Sequence, residues 1–364
     1  MTVAHVNRIG AAVPDHDIHA PFVDFARTLL ADDRTRGVFD RMAERCGIAH
    51  RHSTMRAGDV AAGEVDAGGF YRRGQFPGTA ARMAAYETQA TALALRAVAD
   101  LDISAERAGI THLVVASCTG FTAPGLDLLL AERLGLRPDV ERTLVGFMGC
   151  AAAVPALRIA HHAVRSDPAA RVLVVNLELC TLHLQETADL ETVLSFMLFG
   201  DGSTAALVTA EPTGIALMDF RTAVIPDSHD LITWKIGDQG FDMHLSGKVP
   251  GRIAQTLRGE LARAGEDGLL RGDAVQTIDL WAVHGGGRTV LDAVEVGLAL
   301  DPRALATSRA VLRDHGNMSS ATVMFVLRRM LRASLPTASQ RRGLAMAFGP
   351  GMVAETFRFR LGGG

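Results

Sequence analysis

The sequence is poor in cysteine, and the spacing of its cysteines argues against a zinc-binding or disulfide-stabilised protein. Its 364 residues include four cysteines, and aromatic side chains make up only 5% of the chain. Cys46, Cys118, Cys150 and Cys180 are widely spaced, with no CxxC pair and no zinc-like spacing. Widely spaced cysteines without such pairs are typical of proteins from a reducing compartment, so we expect free thiols, no metal site and a cytoplasmic location.

Long apolar runs and a large excess of charge are also missing. Nowhere do 18 apolar residues follow one another, and residues 1–17 lack the unbroken apolar stretch of a signal peptide. The net charge of −3 provides no strong attraction to nucleic acid or to an acidic membrane. We therefore expect neither partner. The chain is 48% hydrophobic, which is enough for a sizeable core in two domains or one large duplicated domain.

Short apolar runs alternate with helical segments along the chain. Runs rich in Val, Leu and Ile stand at 111–117, 171–179, 278–284 and 343–349. They show little polar alternation, which is typical of strands buried on both faces. Amphipathic segments such as 151–165 and 318–333 lie between them. The pattern predicts an α/β fold in which helices cover a parallel sheet.

The two halves of the chain repeat the same order of elements. Cys150 begins a small-residue segment 32 residues after Cys118, and Asn317 begins a similar segment 33 residues after His284. Each half reads strand, glycine-rich turn, helix, strand, small-residue turn, helix, strand. Equal spacing in both halves predicts a duplicated α/β core. We place the boundary near residue 214, which gives an N-terminal half, 1–214, and a C-terminal half, 215–364.

Cys150, His284 and Asn317 are the candidate catalytic residues. Each has an ordinary structural interpretation on its own: a small buried hydrophobe, a satisfied core histidine and a helix cap. Their matched places in the repeat, at strand ends and helix starts, bring them to the seam between the halves, where open sheets bind ligands. A thiol, an imidazole and an amide in one pocket form a plausible acyl-transfer site.

Motifs spread over most of the chain carry a family resemblance. They are "GCAAAVPALRIA", "LFGDGSTAALV", "HGGGRTVLD", "GNMSSATV" and "AFGPGMVAETF". In order and spacing they resemble the type III polyketide synthases, the chalcone and stilbene synthase-like enzymes of the thiolase fold. The resemblance implies a duplicated core in αβαβα layers with the active site at the seam. It also implies a homodimer, in which Ala123 matches a residue that reaches the partner subunit.

The resemblance assigns a role to each candidate catalytic residue. Cys150 matches the nucleophile that takes the starter acyl group from coenzyme A. His284 and Asn317 match the pair that binds the thioester carbonyl and promotes decarboxylation of malonyl-CoA. Loss of CO₂ generates the carbanion and neutral N–H donors can stabilise it, so no cofactor or metal is expected. A cationic His284 and the helix start are expected to lower the pKa of the Cys150 thiol below about 8.5.

The resemblance also suggests the residues that bind the substrates. Phe199 matches an aromatic gatekeeper, whereas Met243 stands where the family has a second gatekeeping aromatic. Arg41 and Arg45 match basic residues that meet the CoA phosphates, although Val38 departs from a third such position. Without the resemblance, a solvated helix face would explain both arginines. The expected cavity and loop residues are Cys118, Cys180, His183, Trp234, Ser319, Gly349 and Pro350.

Three functions remain open from the sequence. The first is an iterative synthase that extends an acyl-CoA with several malonyl-CoA units and cyclises the product. Met243 and its small or apolar neighbours favour a fatty acyl starter, which would give an alkylpyrone or alkylresorcinol. The second is a single-step β-ketoacyl-[acyl carrier protein] synthase, which also uses Cys, His and Asn. The third is a non-catalytic CoA or lipid binder, which would not need all three residues.

Overall fold

The computed structural model describes residues 2–263, residue 265, residues 267–334 and residues 340–362. The strands are β1 (Ala4–Ala12), β2 (His16–Asp17), β3 (His52–Ser53), β4 (His112–Ser117), β5 (Glu141–Gly146), β6 (Val172–Leu179), β7 (Asp201–Thr209), β8 (Ile215–Val224), β9 (Ile232–Gly237), β10 (Gly240–Leu245), β11 (Leu280–Val283), β12 (Arg341–Gly349) and β13 (Val353–Leu361). The helices are α1 (His19–Leu29), α2 (Asp33–Arg45), α3 (Thr79–Leu101), α4 (Leu126–Leu134), α5 (Ala153–Ser166), α6 (Leu190–Phe196), α7 (Val249–Leu261), α8 (Arg288–Gly297), α9 (Ala306–His315) and α10 (Ala321–Ala333).

Nine strands form one sheet that runs through both halves of the chain. The strand order is β11-β12-β13-β8-β1-β7-β6-β4-β5. The pairs β4–β5, β4–β6 and β11–β12 are parallel, whereas the central strands pair antiparallel. The sheet is therefore mixed, which corrects the expectation of a parallel sheet. The apolar runs that suggested a parallel sheet belong to its parallel parts.

Three apolar clusters divide the molecule into five layers. In the first, α3 and α4 pack on the outer face of β4, β6 and β7. In the second, α5 and α10 lie between the inner faces of the two halves of the sheet. In the third, α7 and α8 cover the outer face of β11 and β12. Strands and helices thus bury both faces of each half, which explains the continuous apolar runs. The expected αβαβα arrangement is confirmed.

The two halves correspond strand by strand, with one exception. Outward from the β1–β8 pair, β1, β7, β6 and β4 match β8, β13, β12 and β11. The segment of the second half that corresponds to β5 forms the helix α9 instead. The prediction of a strand before Asn317 is therefore wrong. The segment "ATSRAVLRDH" is rich in good helix formers and carries charged residues that suit a half-exposed helix better than a buried strand.

Among the described residues, no helix is long and apolar enough to cross a membrane.

Candidate active site

Cys150 lies at the start of the central helix α5. A short 3-10 helix, Gly149–Ala151, leads directly into α5. Gly149 has a φ of +57°, and a Cβ at this position would come within 2.5 Å of Cδ of Pro350. Only glycine fits this left-handed backbone beside the proline ring. The small residues around Cys150 therefore allow the close approach of the helix start to the loop after β12.

Asn317 is held by the loop that carries Phe199. Its backbone N–H donates to the carbonyl of Leu198 at 2.8 Å, and its carbonyl accepts from the N–H of Gly200 at 3.0 Å. Its side-chain Nδ2 donates to the carbonyl of Gly286 at 3.1 Å. Its Oδ1 accepts from the N–H of Ser319 at 2.8 Å, which is the local capping contact expected of an asparagine before a helix.

His284 follows β11 and has no hydrogen bond to its ring in the described part of the chain. Its backbone N–H donates to Met346, which anchors the strand end. The side chain is 2% exposed, and both ring nitrogens are without a partner among the described residues. Burial lowers the pKa of His284 to about 4, so the imidazole is neutral at pH 7. A buried, neutral and unpartnered imidazole can both donate and accept a proton.

The structure corrects the expected charge on Cys150. Burial raises the pKa of its thiol to about 11, although contacts with Ser319 and Asn317 act in the opposite direction. The Cys150 Sγ lies 4.0 Å from Oδ1 of Asn317, and no described hydrogen bond joins it to His284. Desolvation therefore outweighs the helix start, and the resting pair is a neutral thiol and a neutral imidazole.

All three candidate catalytic residues line one cavity. Most of its wall is apolar. The expected binding residues on the wall are Cys118, Cys180, Phe199, Trp234, Met243, Ser319 and Pro350. Further apolar lining comes from Ile232, Leu245, Val249, Ile253, Val290 and Phe348. The few polar groups include Thr119 and Thr233, and the mostly apolar wall suits an apolar ligand.

A hairpin formed by β9 and β10 supplies one wall of the cavity. Trp234 lies directly opposite Met243 across the two strands, and Ile232 lies opposite Leu245. These four side chains share one face because alternate residues of a strand point the same way. The indole N–H of Trp234 donates to the carbonyl of Cys118 at 2.8 Å, so this group is already paired.

His183 and Gly349 do not line the cavity. Nε2 of His183 bonds to the carbonyl of Thr119 at 2.8 Å, and Nδ1 accepts from the N–H of Phe241 at 3.0 Å. Its ring stacks on Phe241 with centroids 4.2 Å apart. The expectation that His183 lines the cavity is therefore corrected: it is a satisfied core histidine behind the wall. Gly349 instead permits close packing, since a Cβ there would lie 3.0 Å from Cβ of Ala151.

Glu178 is a buried polar residue that sequence reasoning missed. Its Oε2 accepts from the N–H of Cys118 at 3.0 Å and from Oγ1 of Thr119 at 2.9 Å, and its Oε1 accepts from Oγ of Ser320 at 2.5 Å. Burial raises the pKa of Glu178 to about 7 despite these bonds. A carboxyl group inside the mostly apolar run "VLVVNLEL" was the available signal.

Arg41 and Arg45 lie at a second opening on the surface. Its lining shares Leu245, Val249, Gly286 and Val290 with the catalytic cavity, so the two spaces adjoin. In the part of the chain that the structure describes, neither guanidinium group makes an ion pair or a side-chain hydrogen bond. Arg288, at the start of α8, adds a third cation to the same opening.

Comparisons with known proteins agree with this architecture. The model of the chalcone and stilbene synthases, N-terminal domain, matches residues 2–212, and the model of their C-terminal domain matches residues 217–361. The chain is 34% identical over 271 residues to an "alpha-pyrone synthesis polyketide synthase-like" protein of Mycobacterium tuberculosis, which covers 72% of this chain and 68% of the relative. It is 37% identical over 262 residues to bisdemethoxycurcumin synthase of Oryza sativa subsp. japonica, which covers 68% of this chain and 65% of the relative.

Solved structures with the same fold span the whole chain. The C-terminal type III polyketide synthase domain of Steely1 from Dictyostelium has a TM-score of 0.86 and 25% identity, with 99% of each chain covered. The 1,3,6,8-tetrahydroxynaphthalene synthase of Streptomyces coelicolor A3(2) has a TM-score of 0.85 and 29% identity over 100% of each chain. The chain therefore belongs to the chalcone and stilbene synthase family of type III polyketide synthases, which are malonyl-CoA-condensing acyltransferases.

Proposed function

We propose that this protein extends a fatty acyl-CoA starter with several malonyl-CoA units and cyclises the product to an alkylpyrone or alkylresorcinol. The observation that carries the proposal is the cavity: Cys150, His284 and Asn317 share a space whose wall is mostly apolar. The neighbouring opening with Arg41 and Arg45 provides unpaired cations for the CoA phosphates. The proposed mechanism uses neither a metal ion nor a cofactor.

The first step loads the starter on Cys150. Sγ attacks the thioester carbonyl carbon, and the thiol proton passes to the neutral imidazole of His284. The carbon–sulfur bond to coenzyme A then breaks, and the leaving thiolate takes the proton back from His284. The N–H₂ group of Asn317 keeps one N–H free after its bond to Gly286, so it can stabilise the transient oxyanion.

The second step uses the same donors for malonyl-CoA. The bond between the methylene carbon and the carboxylate breaks, CO₂ leaves, and the electron pair forms an enolate. An N–H of His284 and an N–H of Asn317 stabilise the enolate oxygen. The enolate carbon then attacks the acyl group on Cys150 and releases the thiolate. Transfer of the lengthened chain back to Cys150 allows another round.

The wall of the cavity supports a fatty starter. The indole N–H of Trp234 donates to the carbonyl of Cys118, so this side chain offers no free donor to a phenolic hydroxyl. A site with few such partners selects poorly for a hydroxylated starter. Each buried methylene of an alkyl chain contributes about 0.8 kcal/mol. The relative named for alpha-pyrone synthesis supports a pyrone product, while the bulk of Trp234 limits the length of the chain.

We also infer a homodimer that uses the surface around Ala123. Phe121, Leu144 and Met148 are large apolar side chains that are each 38–42% exposed there. The outer strand β5 carries Leu144 and has an open edge. Exposed apolar groups beside an open strand edge are typical of a subunit interface. Size-exclusion chromatography with light scattering measures the mass; a 38.7 kDa species at micromolar concentration would contradict the dimer.

Mass spectrometry of the products tests the proposed function. The enzyme is given malonyl-CoA with hexanoyl-, lauroyl- and p-coumaroyl-CoA in equal amounts. We expect products with more than one malonyl-derived unit and the highest kcat/KM for a fatty starter. A single condensation that requires malonyl on a carrier protein would indicate the single-step synthase. A preference for p-coumaroyl-CoA, or products from malonyl units alone, would contradict the fatty starter and leave the synthase assignment intact.

Peptide mapping tests the nucleophile separately. Incubation with lauroyl-CoA alone should leave an acyl adduct on the peptide that contains Cys150. Cys180→Ala, which removes another thiol of the same cavity, should retain that adduct. If Cys150→Ala still makes polyketide at nearly the normal rate, another group carries the chain.

A further inference from the structure

Arg51 is a buried cation in contact with the loop that carries Phe199. Its side chain is among the largest fully buried ones, at 1% exposure. Nη1 donates to the carbonyl of Phe199 at 2.5 Å and to the carbonyl of Phe196 at 3.0 Å. Nε donates to Nδ1 of His19 at 3.0 Å, and the guanidinium carbon lies 4.7 Å from the centre of the Phe22 ring.

No carboxylate forms an ion pair with Arg51 among the described residues. A buried charge without a counter-ion is costly unless its hydrogen bonds replace the lost water. Here the acceptors are the carbonyls of Phe196 and Phe199 and the ring nitrogen of His19, while Nη2 has no partner among the described residues. Burial and the charge of Arg51 lower the pKa of His19 to about 4, which keeps this acceptor neutral. The hydrogen bonds of Nη1 therefore hold the loop that carries Phe199.

The loop held by Arg51 is the one that positions Asn317. Leu198 and Gly200 flank Phe199 and make both backbone hydrogen bonds to Asn317. Phe199 and Asn317 thus pair like neighbouring strands. A displacement of the loop would move the gatekeeper ring and the catalytic amide together.

The stem of Arg51 also fits between two glycines next to the catalytic residues. A Cβ on Gly316 would lie 2.7 Å from Cγ of Arg51, and a Cβ on Gly200 would lie 3.5 Å from its Cβ. Gly316 has a φ of +67°, which glycine tolerates best. The methylene groups of Arg51 therefore contact the segment of Asn317 directly, and its guanidinium holds the segment of Phe199.

We propose that Arg51 is a positioning residue that sets the location of the Asn317 amide and the Phe199 ring during malonyl-CoA decarboxylation and chain extension. This inference rests on the proposed function for the role of Asn317. It gives Arg51 no contact with substrate. A displacement of about 1 Å in a catalytic group can cost roughly 100-fold in rate, so the loss of Arg51 is expected to affect kcat.

The first test measures CO₂ release from malonyl-CoA. Arg51→Met removes the donors at similar length, and Arg51→Lys retains the charge with fewer directed donors. Arg271→Met is the matched control, because Arg271 is also buried and donates to the carbonyls of Leu269 and Thr356, away from the cavity. We expect kcat to fall roughly 100-fold in Arg51→Met and roughly tenfold in Arg51→Lys, with KM for malonyl-CoA nearly unchanged. Equal rates in folded Arg51→Met and Arg271→Met would overturn the inference.

The second test does not depend on activity. The chain has three asparagines, Asn7, Asn176 and Asn317, so labelling with ¹⁵N-asparagine gives three side-chain amide signals. The Asn317 signal should shift in Arg51→Lys and stay in place in Arg271→Met. An unmoved Asn317 signal contradicts the positioning role. If the signal moves but Asn317→Ala releases CO₂ at the normal rate, the positioning role stands and the proposed function of Asn317 fails. If Arg51→Met does not fold, Arg51→Lys decides both tests.

Discussion

At the scale of single residues, burial decides the protonation of the catalytic pair. Desolvation raises the pKa of Cys150 to about 11 and lowers that of His284 to about 4. The thiol should therefore react slowly with iodoacetamide at pH 7, and the rate should increase continuously towards pH 10, because only the thiolate is nucleophilic. Mass spectrometry of the Cys150 peptide measures the rate. A plateau from pH 6 to 8 would reveal a thiolate–imidazolium pair instead.

Loss of a proposed oxyanion donor, His284 or Asn317, should affect a different step from loss of the proposed nucleophile Cys150. Removal of one such donor commonly slows a reaction by about 100–1000-fold, so His284→Ala and Asn317→Ala should each lose this much malonyl-CoA decarboxylation. Cys150→Ala should abolish condensation and keep part of the CO₂ release. Assays of labelled CO₂ and of product measure both steps. Unchanged CO₂ release in Asn317→Ala would reduce this residue to a helix cap.

At the scale of elements, we expect the β9–β10 hairpin to influence which starters fit. Met243 and Trp234 face each other on its cavity side, and methionine adapts to irregular apolar shapes. Met243→Phe should lower kcat/KM for lauroyl-CoA relative to hexanoyl-CoA by roughly tenfold, close to the loss of two methylene contacts at about 0.8 kcal/mol each.

A control on the same hairpin separates cavity shape from hairpin stability. Ile236 is 62% exposed and does not line the cavity. Ile236→Phe adds the same aromatic group outside the cavity and should leave the ratio of the two kcat/KM values unchanged. An equal change of the ratio in both variants would assign the effect to the hairpin as a whole.

At the scale of the whole molecule, buried titratable groups make stability depend on pH. Burial lowers the pKa to about 4 for His19, His161, His183, His284 and His315. Burial raises the pKa of Glu178 to about 7 and that of Asp201 to about 6. Between about pH 4.5 and 6 the unfolded chain protonates the five histidines, whereas the folded chain protonates the two acids. The unfolded state then binds a net excess of about three protons.

An excess of protons in the unfolded state means that stability increases with pH in this range. At about 1.4 kcal/mol per proton and pH unit, the free energy of unfolding should fall by roughly 4 kcal/mol per unit as pH decreases from 6 to 5. Thermal denaturation across this range measures the slope. His161→Leu should flatten it, whereas His162→Leu, at an exposed neighbouring position, should not. Equal slopes in both variants would show that His161 is not a source of the pH dependence.

The positions of four buried strands and the α/β class could be predicted from the sequence because they depend on local patterns. Apolar runs without alternation identified β4, β6, β11 and β12, and the repeat identified the duplicated core. The glycine and alanine residues around Cys150 indicated the start of a helix. The helix α9 was missed because the repeat suggested a strand, while the residues at 306–315 themselves favour a helix. Local composition outweighed the symmetry of the duplication.

The sequence by itself predicted the candidate catalytic residues, since Cys150, His284 and Asn317 stand at matched places in the repeat and at motif positions of the family. Only the tertiary structure decided their electrostatics and their supports. Desolvation depends on how completely distant segments cover a group, so the neutral resting pair was not visible in the sequence. The place of His183 behind the wall and the contacts of Glu178 and Arg51 also arise from segments far apart in the chain. Such contacts depend on packing, and no local pattern encodes them.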